Sequence, residues 1–174
     1  MSGRGDGIDV GALVEACASV GESEDDGWPF EGGCAAFAVA VNRFVGGGDA
    51  DRVFVGSYSR ETEKKYGARM FSHVAVALGD VLLDASGLTN KDDLLALAGD
   101  ERTARVARVT GAEAMDGTDV TEDPSGRERE VERLVGVLRS AYAAATGRRR
   151  SPPQARTRRG DEGELRRRPA PRRR

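Results

Sequence analysis

The stretch 70–86 (MFSHVAVALGDVLLDAS) constrains this chain more than any other. Two apolar runs suited to a pleated surface are separated by Gly79-Asp80 alone. Such runs across a two-residue Gly-Asp turn read as a tight β-hairpin. The turn sets the register: Leu78 opposes Val81 and, counting back, Ala75 opposes Asp84. Strand side chains alternate, so His73 and Ala75 point to one face and Asp84 shares it. Asp84 is then the diagonal neighbour of His73, about 7–8 Å away at the backbone and within reach of two polar side chains. A slip of one residue would turn Asp84 to the other face.

The flanking sequence supplies the rest of an α+β fold. Residues 9–20 place Val10, Leu13, Val14 and Cys17 at helical spacing, with Asp9 as cap and Gly21 as stop. Cys17 lies on the apolar stripe and reads as a small core residue. A loop over 21–33 leads to a dense apolar helix over 34–45, ended by Gly46-Gly47-Gly48. A strand is expected over 52–58 and an exposed charged loop over 60–67. A helix follows over 89–98, then a strand over 103–110 and a polar loop over 111–124. The last helix runs from a capping box at Ser125 and Glu128 to about 146. This order predicts N-terminal helices packed on an antiparallel sheet.

Charge divides the chain in two. Residues 1–147 carry 15 basic and 26 acidic side chains, and residues 148–174 carry 12 arginines and 3 acids. The tail has too little apolar surface to offset the entropy of ordering it, so 1–147 is read as the domain and 148–174 as a disordered arginine-rich tail. Such a tail is either a solubilising extension or an anchor for an anionic partner. An acidic body disfavours nucleic acid as a substrate and favours a basic or neutral one. No run approaches the length of a membrane helix, and the N-terminus lacks the pattern of a signal peptide. With two cysteines and no disulfide framework, a cytoplasmic protein with free thiols is expected. One histidine and two distant cysteines make no metal cluster, and no cofactor is expected.

The chemistry concentrates on Cys34. It follows Gly32-Gly33 and opens the central helix. A helix N-terminus carries unpaired N–H groups and a partial positive charge, which favours a thiolate, the nucleophilic form. The N–H of Cys34 is a plausible donor to an attacked carbonyl oxygen. A thiolate mechanism needs an imidazole, and His73 is the one histidine in the chain. Asp84 would bind one ring nitrogen and leave the other for Cys34, which is the nucleophile, base and orienter logic of a triad. Each residue also has a plain structural reading: a buried core thiol, a satisfied half-buried histidine, a turn-capping aspartate near Ser86-Gly87.

At these residues the chain resembles the papain-like superfamily in its transglutaminase-like or NlpC/P60-like branches. GGCAAFAVAVNRFVG (32–46) resembles the segment opening the catalytic helix. FSHVAVAL (71–78) resembles the strand bearing the family histidine, and VLLDASG (81–87) the next strand with its aspartate. The resemblance implies Cys34 as nucleophile, His73 as general base and acid, and Asp84 as orienter. It implies acyl chemistry through a thioester on a peptide or other amide, without cofactor. The reaction would be that of a cysteine hydrolase (peptidase or amidase) or a transglutaminase-type acyltransferase. A non-catalytic interaction module on the same fold, working through its basic tail, is the alternative. Val74 stands where transglutaminase-like members carry an aromatic, and no glutamine precedes Gln154 to serve as oxyanion donor. Gly33 and Trp28 are candidate substrate contacts, and Trp28, Glu31 and Asn42 are candidate oxyanion donors.

Overall fold

The computed structural model describes residues 7–23, 33–47, 54–99, 101–118 and 124–150. Trp28, Glu31 and the tail from 151 onward lie outside them. The elements are α1 (Val10–Ser23), α2 (Cys34–Phe44), β1 (Phe54–Ser59), α3 (Arg60–Tyr66), β2 (Phe71–Leu78), β3 (Val81–Asp84), β4 (Gly87–Thr89), α4 (Lys91–Leu97), β5 (Ala104–Val109), α5 (Gly111–Gly117) and α6 (Pro124–Arg150). The five strands form one antiparallel sheet in the order β4-β3-β2-β1-β5. The chain is α+β, with helices packed on that sheet, as the pattern predicts.

The central helix is α2, where every residue from Cys34 to Asn42 is buried. A helix apolar all round has to be enclosed on all sides. It packs on β2 and β3 on one side and on α5 and α6 on the other. Phe37 and Val41 join Phe54, Val76, Leu83, Leu134 and Leu138 in the main core. Full burial of side chains of this size stabilises by roughly 1.5–3 kcal/mol each. A bidentate contact from Arg43 to Glu128, at 2.6 and 3.1 Å, ties the end of α2 to α6. The other sheet face carries a smaller cluster, in which Leu94 of α4 covers Val55, Ala75 and Ala77.

The hairpin has the expected register. Leu78 pairs with Val81 and Val76 with Leu83, and Gly79 takes a φ of 61° in the turn. Gly56 lies mid-strand because the Phe71 ring occupies the space a Cβ would take, 2.4 Å from the nearest ring carbon. The Phe71 ring also meets Tyr58 edge-on at 6.1 Å. These contacts fix the start of β2, two residues before His73.

Several boundaries differ from expectation. Residues 60–66 form a helix, not a loop. Ser59 caps it by accepting from the Glu61 N–H at 3.3 Å, and Gly67 ends it at φ 70°. Residues 111–117 are also helical, through a capping box between Thr110 and Glu113. Ser125, expected as a cap, lies inside α6, which runs to Arg150. The proposed tail boundary at 148 is therefore crossed by helix, and Arg148 binds Glu15 of α1 at 2.7 Å. Among the described residues, no helix is long and apolar enough to cross a membrane.

Gly21 does not stop α1, which continues to Ser23. Its role is close approach: a Cβ there would lie 2.0 Å from the carbonyl oxygen of Ala85. Backbone cannot yield as a flexible side chain can, so overpacking of about 1–3 kcal/mol is expected. Gly136 in α6 has nothing within 4 Å of its notional Cβ. Urea unfolding should therefore show Gly21→Ala destabilised by that amount. Gly136→Ala should gain up to about 1 kcal/mol from helix propensity.

Candidate active site

Three elements bring the site together. Cys34 is the first residue of α2, and Gly33, its N-cap, makes no side-chain cap. The first helical bond runs from the Phe37 N–H to the Gly33 oxygen at 2.9 Å. The N–H groups of Cys34, Ala35 and Ala36 come before it and have no acceptor within the helix. Gly33 has φ −83° and ψ −3°, a conformation open to any residue, so its position needs no glycine for backbone reasons.

His73 lies in β2 opposite Ser57 of β1, whose hydroxyl donates to the His73 carbonyl at 3.5 Å. The register slips by one between Ser57 and Tyr58, which leaves Ser72 without a β1 partner. A bulge of this kind raises the local twist and re-aims side chains. His73 Nε2 meets Asp84 Oδ2 at 3.0 Å. The Cys34 side chain lies near enough to the ring to raise its proton affinity.

All three side chains are buried: Cys34 is 3%, His73 2% and Asp84 4% exposed. Charge interactions there are poorly screened. Burial is the largest influence on His73 and disfavours its protonated form. The Asp84 hydrogen bond, the Cys34 hydrogen bond and the charges of both partners together outweigh it and lift His73 from 6.5 to about 9. Burial likewise opposes ionisation of Asp84. Hydrogen bonds from His73 and from the Ser86 hydroxyl and N–H overcome that, so its pKa is lowered. The site thus holds a carboxylate against an imidazolium at neutral pH.

Of the residues singled out from sequence, Cys34, His73 and Asp84 converge. Trp28 and Glu31 lie outside the described residues. Asn42 is excluded as an oxyanion donor by position: eight residues along α2 from Cys34, it sits about 12 Å further down the axis. Cys17 is the core thiol expected, fully buried, with its pKa pushed up to about 12 by burial first and the Asp84 charge second. Ser86 is a site residue that sequence reasoning missed, although the Asp-Ala-Ser-Gly run carries an aspartate-turn signature. Among the described residues no cluster of His, Cys, Asp and Glu is suited to hold a metal ion. A cleft of about 410 Å³ beside α4, lined by Val55, Leu82, Lys91 and Arg108 among others, contains none of the three convergent residues. The chain matches no protein-family model, no curated protein and no solved structure.

The shifts make stability depend on pH with a definite sign. The folded pKa of His73 lies above its unfolded value. Its contribution is therefore complete below about 6.5 and lost as pH rises through about 9. The contribution of Asp84 runs the other way. It is present above the unfolded carboxyl value of 3.8 and lost as pH falls through the lowered one. Urea titrations from pH 6 to 10 should show wild type losing its advantage over His73→Gln as pH rises. The difference should shrink by on the order of 3 kcal/mol.

Proposed function

We propose that the chain is a cysteine hydrolase, a peptidase or amidase acting through a thioester on a papain-like or transglutaminase-like fold. One observation carries this reading: the sole histidine is held by a buried carboxylate and feels a helix-start cysteine close by. That is the relation of nucleophile, proton carrier and orienter.

Cys34 sulfur attacks the amide carbon, the C–S bond forms, and the carbonyl electron pair moves to oxygen. The N–H groups of the first turn of α2, that of Cys34 foremost, face developing negative charge. Collapse breaks the C–N bond, and the departing amine takes the His73 proton. In the thioester the Cys34 sulfur is acylated, so the two influences it exerts on the His73 pKa are lost. The ring, now neutral and less basic, is suited to accept a proton from water. Water attacks the thioester, the acid leaves, and thiolate and imidazolium return. Asp84 keeps its charge throughout and fixes the ring.

Complete burial of the three side chains favours a second reading, a structural polar network on a non-catalytic module. Alkylation separates the two. Iodoacetamide on the folded chain should modify Cys34 and spare Cys17, whose thiol is pushed up to about 12. His73→Ala should lower the rate near neutral pH, because the thiolate loses its partner. If Cys34 resists modification until the chain unfolds, the hydrolase reading is wrong and the network reading stands.

A further inference from the structure

We infer that Ser86 is a positioning residue of this site, orienting the Asp84 carboxylate so that one oxygen is committed to His73. The inference rests on reading Cys34, His73 and Asp84 as acyl-transfer machinery, and adds a fourth residue to it. β3 ends at Asp84 and β4 begins at Gly87, and these two residues pair across a two-residue turn, Ala85-Ser86. Within that turn Ser86 reaches back to the carboxylate. Its N–H donates to Asp84 Oδ1 at 2.7 Å and its hydroxyl donates to the same oxygen at 2.5 Å. Oδ2 is left for His73 Nε2 at 3.0 Å. Both carboxylate oxygens are therefore occupied from opposite sides.

A carboxylate needs such a constraint. The last torsion of aspartate is broad and roughly two-fold, so a single hydrogen bond does not fix its plane. Two donors on Oδ1 remove that freedom, and charge-assisted bonds of this kind are stronger than neutral ones. They also favour the ionised form of Asp84, the form that holds the His73 proton. The turn is fixed in its own right. Gly87 has a φ of 99°, and α1 presses on the Ala85 carbonyl at Gly21, where no side chain would fit. Removing the serine hydroxyl leaves that backbone scaffold in place.

Ser86 is itself exposed, so Ser86→Ala cuts no core contact. The chain has a single histidine, whose imidazole resonances can be titrated by NMR without assignment ambiguity. Ser86→Ala should lower the His73 pKa by about half a unit or more, equivalent to a threefold change in proton affinity. Ser86→Thr, which keeps the hydroxyl, should restore it. Asp84→Asn is the reference and should lower it further. If Asp84→Asn shifts the titration and Ser86→Ala does not, the role given to Ser86 is wrong while the triad reading survives. If neither variant shifts it, both are wrong.

Discussion

The contact between His73 and Asp84 is the interaction on which the rest depends. Two ionisable groups with almost no solvent exposure face each other across adjacent strands at 3.0 Å. Removing one partner would strand a buried charge, a defect that typically costs several kcal/mol. The surrounding structure satisfies what remains. Ser86 takes the second carboxylate oxygen, Cys34 raises the proton affinity of the ring from the start of α2, and Ser57 donates to the His73 backbone. Each of these comes from a different element. The pair is therefore correctly formed only when β1, β3, the β3–β4 turn and α2 are all in place around β2.

The core and the site are thus the same construction. α2 is buried along its length, and its first residue is the proposed nucleophile. The packing that fixes α2 against the sheet and α6 also sets where the sulfur sits relative to the ring. The two thiols show how far position decides chemistry. Cys17 lies in the apolar stripe of α1, where burial and the Asp84 charge drive its proton affinity upward. Cys34 opens a helix beside an imidazole held protonated by the opposite carboxylate.

Much of this was legible in the sequence because it rests on strong local signals. The Gly-Asp turn fixed the hairpin register, dense apolar spacing marked α2, and Asp9 caps α1 through the Ala12 N–H at 3.0 Å. The short helices were not legible by periodicity. α3 buries no residue, so it leaves no apolar pattern, and its trace is confined to the Ser59 cap and Gly67. α5 carries a Thr110–Glu113 capping box that the reading of 111–124 as a loop passed over, and the same type of signature misplaced the start of α6 at Ser125. Gly21 read as a stop because local reasoning has no view of the Ala85 carbonyl lying against it. Ser86 was hidden for a similar reason. Its bond to Asp84 is local, but its value comes from what Asp84 does on its other side.

Cys34 is proposed to accept an acyl group under the control of His73. Incubation with the activated ester p-nitrophenyl acetate, followed by rapid acid quench and peptide mass mapping, tests it directly. Acetyl is expected on Cys34 and none on Cys17. The rate of p-nitrophenol release should fall by about a hundredfold or more in His73→Ala, in the range that general acid–base assistance supplies. Acetylation spread equally over both cysteines, or a rate at Cys34 indifferent to His73, would contradict it.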